Sequence, residues 1–333
     1  MLRKLAVLVC LFSVPIIVSA DNLILGSDSQ DSGRFTFERR NDNGGLVLKG
    51  NLTLARTSHN AIKLQSGSIF VAGGVEQPTS IQILDQNGNV IGSNLLIDQR
   101  VSAAATLLTN GNVFICSGSS NAGTWEIHSP TGALVSSGSL LDGRGSGTAA
   151  VTLTNGNIWI SGGTDAPATW EVRDINGALI ANGTLLNQRS GAKAIVLTNG
   201  NIMLIGGITV PSSWEIYTPS GSRVSTGTLT QLRDGGSGAV KLSNGNIFIF
   251  GASGGGGSGT WEIRDQNGNF VGAGNLNTAE GGATAAVQST GNVMIVGGGT
   301  FSNVWQIYTA TGAFVSRGNL ADNRDMGHSQ THF

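Results

Sequence analysis

Short apolar runs fall in pairs along this chain, each pair split by a polar tetrad centred on glycine. The tetrads read TNGN at 109–112, 154–157 and 198–201, SNGN at 243–246, STGN at 289–292 and QSGS at 65–68. Their glycines, Gly67, Gly111, Gly156, Gly200, Gly245 and Gly291, recur every 44–46 residues. Ahead of them stand NAIKL, AATLL, AAVTL, KAIVL, GAVKL and TAAVQ; behind them stand IFVAGG, VFICSG, IWISGG, IMLIGG, IFIFGA and VMIVGG. Two β-rich runs joined by Asn-Gly predict a hairpin, because Asn and Gly accept the positive φ of a tight turn. These are strands A and B. After a loop comes a third run, strand C, reading TWEIHS, TWEVRD, SWEIYT, TWEIRD or VWQIYT, with SIQILD in the first full repeat. A second polar turn follows, and then a strand D that reads as short and weak, as in ALVSSGSL. No stretch has helical periodicity.

Four strands in about 45 residues are the mark of a propeller blade. Side-chain size along the repeat agrees. Strand A opens on small residues (SAAAT, SGAKA, GGSGA), as inner strands converging on an axis require. The bulky Trp125, Trp170, Trp214, Trp261 and Trp305 sit in strand C, where blades diverge, and read as core filler. Six anchors leave material at both ends. NRDMGHSQTHF (323–333) aligns with the arginine-plus-A-strand segments, DNLILGS (21–27) aligns with strand B, and RFTFERRNDNGGLVLKGNL (34–52) supplies C and D. The expected fold is therefore all-β: a seven-bladed β-propeller of four-stranded antiparallel blades, its ring closed by N- and C-terminal strands sharing one blade.

The recurring pattern of an arginine, L-x-N-G-N, an apolar run, Gly-Gly and W-E-(I/V) resembles the kelch repeat and its galactose-oxidase-like relatives. The Gly-Gly pair stands at Gly73–Gly74, Gly162–Gly163, Gly206–Gly207 and Gly297–Gly298. A typical kelch repeat has tryptophan after the second turn, where this chain has Leu134, Leu179, Val224 or Phe270. The resemblance thus implies a divergent kelch-like propeller with its ligand face at the D–A and B–C loops.

The first twenty residues change the picture of compartment. MLRK, an apolar stretch and a small-residue VSA read as a signal peptide cleaved after Ala20, leaving 21–333 as a single domain, secreted or periplasmic. The remaining cysteine, Cys116, can form no internal disulfide, so the core must hold the fold. Net charge is −1 with 12% charged residues, which offers no basic face for nucleic acid, and no later run is long and apolar enough to span a membrane. A monomer is expected.

Candidate chemistry gathers ahead of strand A. Arg56, Arg100, Arg144, Arg189, Arg233 and Arg324 occupy one repeat position, and Glu280 takes it in the remaining repeat. Pointing inward, six guanidiniums and one carboxylate would ring the channel mouth and attract anions such as carboxylated or sulfated sugars. Turned the other way, they would tie blade to blade. His59 and His328 sit at equivalent positions of adjacent blades but lack further ligands for a metal, and no cofactor is expected. His128 reads as incidental. A copper-radical site resembling that of galactose oxidase would need a cysteine beside a tyrosine, a second tyrosine and two histidines at the axis; here Cys116 falls within strand B, and Tyr217 and Tyr308 follow strand-C tryptophans away from the axis. The expected function is non-catalytic recognition of a glycan or protein ligand, anionic ones among them, at an arginine-ringed axial face. The alternatives are a mutarotase- or epimerase-like enzyme acting on an acidic sugar with Glu280 as acid/base, and a structural surface module.

Overall fold

The computed structural model describes residues 21–26, 36–253, 257–278, 281–299, 303–324 and 329–332. It is built of seven antiparallel four-stranded sheets. Blade I joins β1 (Asp21–Leu25), β2 (Thr36–Asn41) and β3 (Leu46–Asn51) to β28 (Ser329–His332), the last strand of the chain. Blade II holds β4 (Asn60–Lys63), β5 (Ile69–Ala72), β6 (Ser80–Leu84) and β7 (Val90–Leu95). Blade III holds β8 (Ala104–Leu107), β9 (Val113–Cys116), β10 (Thr124–His128) and β11 (Leu134–Ser139). Blade IV holds β12 (Thr148–Thr152), β13 (Ile158–Gly162), β14 (Thr169–Arg173) and β15 (Leu179–Thr184). Blade V holds β16 (Lys193–Val196), β17 (Ile202–Ile205), β18 (Ser213–Tyr217) and β19 (Arg223–Thr228). Blade VI holds β20 (Gly238–Lys241), β21 (Ile247–Phe250), β22 (Thr260–Arg264) and β23 (Phe270–Asn275). Blade VII holds β24 (Thr284–Val287), β25 (Val293–Val296), β26 (Val304–Tyr308) and β27 (Phe314–Asn319). The inner strands β28, β4, β8, β12, β16, β20 and β24 touch in turn and close the ring. In blade I the closure is a register of Asn22 to His332 through Leu25 to Ser329, the terminal pairing expected from the repeat. No described helix is long and apolar enough to cross a membrane.

The core lies between blades. Strand B is fully buried in every blade, and its apolar side chains pack alternately on the two neighbours. One cluster joins Phe114, Cys116, Trp125 and Ile127 of blade III to Ile158 and Ile160 of blade IV; another joins Trp159 and Trp170 of blade IV to Ile202, Leu204 and Tyr217 of blade V. The strand-C tryptophans are core, as expected, at 6–8% exposure. Each indole lies between a glycine of its own strand D and the turn glycine of the next blade. Gly138 and Gly177 thus face Trp125, and a Cβ at Gly177 (φ +91°) would overlap the ring. The Gly-Gly pair has a packing cause too, since a Cβ on Gly162 would collide with the Arg189 carbonyl.

Strand D is not short. It runs six residues in all seven blades, because each pairs with strand C along its length. Each pairing contains a bulge near the second turn, as at Ile127/His128, which leaves Val135 opposite no partner. The other bulge residues are Val47, Ile91, Ile180, Val224, Val271 and Val315. Bulges on exposed edges discourage edge-to-edge pairing with a second chain.

Candidate functional site

The D–A loops carry the six arginines toward the blade interior, and the expected guanidinium ring at the mouth is corrected by their placement. All six are 0–1% exposed. The B–C loop of the same blade turns its carbonyls toward them, and strand C offers a side-chain acceptor. Arg144 donates to Gly162 O (3.4 Å), Thr169 O (3.0 Å) and, through Nε, to Glu171 Oε1 (3.2 Å). Arg189 donates to Gly206 O (2.6 Å) and Glu215 Oε1 (2.9 Å), and Arg100 to Ser117 O (3.0 Å) and Glu126 Oε1 (2.9 Å). Arg233 and Arg324 bind Gly251 O and Gly26 O in the same manner, facing Glu262 and Glu38. Arg56 meets Gly73 O and Gln82. A guanidinium with five donors in a planar fork suits a cage of carbonyls and one carboxylate better than a solvated channel.

Sequence reasoning missed the acceptor. The strand-C Glu, that of each W-E pair and Glu38 after Phe37, is the arginine's partner, and it also accepts backbone N–H groups of the loop arriving from the preceding blade. Glu126 takes those of Ile97 and Asp98, Glu171 that of Leu141, and Glu38 those of Ala321 and Asp322. One repeat carries the signal: where Glu280 replaces the arginine, strand C has Gln306 instead of Glu. The residue two positions along strand C completes the cage. Arg40, Arg173 and Arg264 bond Glu38, Glu171 and Glu262; Tyr217 bonds Glu215 and Tyr308 bonds Gln306. His128 is in this slot and is not incidental: fully buried, it bridges Glu126 Oε2 (2.9 Å) and Gly132 O (3.0 Å).

These cages have a pH consequence. Burial alone would raise the Glu126 carboxyl, but the His128 bond, the Ile97 N–H and Arg100 outweigh it and hold the group at about 2. A folded value below the unfolded value of about 4.3 gives stability that is complete above the latter and is lost as pH falls toward the former. Glu215 shifts the same way, against its burial, chiefly through Arg189. Acid unfolding should therefore fall between about pH 4.3 and 2. In Glu126→Gln the circular-dichroism midpoint in that window should depend less on pH; an unchanged slope would refute the assignment.

With the arginines turned away, the axial mouth is built from other residues. A cavity of about 380 Å³ opens there, walled mainly by Gly, Ala and Ser, with His59, Thr148, Lys193, Ser237 and Thr284 as its functional side chains. Its rim is backbone linked blade to blade: Ser102 N to Ser58 O (3.0 Å), Gly191 N to Gly147 O (2.8 Å) and Gly282 N to Gly236 O (2.8 Å). Gly147, Gly191 and Gly282 take positive φ at this rim, and so do Ser58 (52°) and Ser102 (51°), a strain concentrated at ligand sites in many folds. Below it, alanines of the inner strands line a channel of about 220 Å³ that Lys193 shares. Lys193 pairs with Ile205 at a register where the other inner strands place Asn60, Ala104, Ala149, Gly238, Thr284 and Ser329. It is the one charged residue of that ring. Its ammonium has no hydrogen bond or ion pair with a described residue, and burial pushes it below the usual lysine range, with Asp234 pushing back. The small-residue column of the repeat, broken once by lysine, was the available signal.

His59 lines the bowl; His328 and Glu280 lie outside the described residues. Among the described residues no cluster of three or more His, Cys, Asp or Glu could hold a metal. Cys116 is fully buried, and burial pushes its thiol up to about 12; Tyr217 and Tyr308 are in the interblade core.

No protein-family model and no curated protein sequence matches the chain. Solved structures do. A fungal alcohol oxidase of the AA5 family, in complex with copper, aligns at TM-score 0.65 and 18% identity over 81% of this chain and 66% of that one. A catalytically inactive virginiamycin B lyase from Staphylococcus aureus, in complex with quinupristin, aligns at 0.63 and 12% over 80% and 86%. A functionally unknown protein from Desulfotomaculum acetoxidans aligns at 0.67 and 12% over 94% and 99%. At these identities the likeness shows the propeller fold alone.

Proposed function

We propose that this chain is an exported, kelch-like binding propeller that receives an anionic ligand, best represented by a carboxylated sugar of a glycan, in the axial bowl without transforming it. The observation that carries this reading is Lys193: the one lysine or arginine among the described residues of the bowl, on a small-residue floor and facing a cavity large enough for one pyranose ring. A partly desolvated ammonium gains most from a carboxylate that also accepts from nearby hydroxyls, and Thr148 and Ser237 stand on the same wall. The arginines support the site indirectly, by fixing the loops that form its rim.

A glycan array comparing wild type with Lys193→Met tests the reading. Wild type should retain glycans ending in uronic or sialic acids. The variant should lose them about 10- to 100-fold, the range for one charge-assisted hydrogen bond. Equal binding by both proteins would overturn it. The lowered ammonium also suits proton transfer, so turnover of an acidic sugar that Lys193→Met abolishes would favour the sugar-modifying alternative.

A further inference from the structure

The buried arginine tie has a repeat-wide composition, and blade II departs from it at three neighbouring positions. Its strand-C acceptor is Gln82, where blades I, III, IV, V and VI have Glu38, Glu126, Glu171, Glu215 and Glu262. Two residues before the arginine it has Leu54, where others have Asp98, Asp142, Asn187, Gln231 and Asp322. At the end of strand D it has Leu95, 66% exposed, where the other six blades have Asn, Ser or Thr. Blade VII also lacks the carboxylate, at Gln306, but its arginine is absent as well, replaced by Glu280. Blade II keeps the cation and drops both anions.

Arg56 is consequently a 1%-exposed guanidinium with no carboxylate within 4.0 Å among the described residues; its side-chain partner is neutral Gln82 Oε1 at 3.2 Å. Glu76, an acid that acts on it through its charge, is engaged with the Thr57 N–H at 3.0 Å. Burial pushes Arg56 down to about 10, Glu76 pushing back. Strand C of this blade also has Ile81 where five blades have tryptophan, which leaves room beside the tie. A cavity of about 440 Å³ opens over this point, lined by Thr53, Leu54, Ser80, Ile81, Gln82 and Leu95 among others. Gln82 Nε2 donates one proton to Thr53 Oγ1 (2.6 Å), which leaves a second amide proton and the threonine hydroxyl proton to give. Leu54, Ile81 and Leu95 supply an aliphatic wall.

We propose that this cavity is a second ligand site, separate from the axial bowl, that takes a monocarboxylate with an aliphatic body. The carboxylate accepts from Thr53 and Gln82 in the field of Arg56 and restores the negative partner that the repeat supplies elsewhere from its own chain. The aliphatic body lies against Leu54, Ile81 and Leu95.

Methyl NMR titration of the full mature chain with hexanoate, and with hexanamide as its neutral isostere, tests the site. Hexanoate should shift the Leu54, Ile81 and Leu95 methyl signals, and hexanamide should bind at least about tenfold more weakly. Gln82→Glu, which reinstates the repeat's own carboxylate, should weaken hexanoate by about tenfold or more while raising the thermal midpoint. Leu54→Asp, which places an acid where Asp98 and Asp322 stand, should do the same if Gln82→Glu folds poorly. Equal affinity for the two probes, or unchanged hexanoate binding in both variants, would overturn the proposal. So would shifts that disappear in Lys193→Met, because these would place the anion in the bowl.

Discussion

Replacing Glu171 by alanine should cost about 3–5 kcal/mol of unfolding free energy, the penalty for stripping one partner from a buried ion pair. The carboxylate is fully buried between Arg144 (3.2 Å) and Arg173 (2.7 Å), and it also accepts the Leu141 N–H that brings the chain in from blade III. Alanine would leave two guanidiniums and a backbone donor in a site closed to water. Glutamine should cost less, since it keeps an acceptor for the guanidinium, as Gln82 does for Arg56 in blade II. Urea denaturation followed by tryptophan fluorescence checks both. An alanine variant within about 1 kcal/mol of wild type, the scale of an exposed pair, would show the cage to be solvated.

The second large effect is at the turn glycines. Gly221→Ala should destabilise by about 3 kcal/mol, combining a left-handed backbone with overpacking against an indole. Gly221 has φ +91°, and an added Cβ would overlap the Trp170 ring of the preceding blade. Trp170→Ala alone should cost about 3–5 kcal/mol through the cavity it leaves. Because the two changes act on one contact, Gly221→Ala in a Trp170→Leu background should cost distinctly less than in wild type, and calorimetric midpoints of the four proteins measure that coupling. Additive losses would mean that the clash is not what holds glycine there. Blade II separates the two contributions: with Ile81 in place of tryptophan, the strand-D glycine gives way to Asn94, while the turn glycine facing it, Gly132, is kept at φ +86°.

That Trp–Gly correspondence shows why the fold was legible in the sequence. Contacts that recur in successive repeats leave their mark at a fixed period, so hairpins, blade count and the shared terminal blade all followed from the spacing of Gly67 through Gly291. Side-chain direction left no such mark. Arg144 at the head of strand A is compatible with a channel-lining or a buried guanidinium, and only the position of Glu171 across the blade decides between them. The pairing is non-local, and its one sequence trace is the joint change to Glu280 and Gln306. Lys193 was hidden for the opposite reason. It occurs once, in a column of small residues, and a search for what repeats passes over what does not. His128 was misjudged because strand C buries both of its faces, so a polar residue there can face a carboxylate rather than solvent.

The central claim is that Lys193, rather than the arginines, is the cation presented to a ligand at the axis. The most direct test is the pH titration of the Lys193 side chain by heteronuclear NMR, with and without a uronic-acid oligosaccharide. The amine should titrate below the range of the surface lysines in the free protein and move upward on addition of the oligosaccharide, because a bound carboxylate favours the ammonium. An amine that titrates with the surface lysines and does not respond to the oligosaccharide would contradict the assignment.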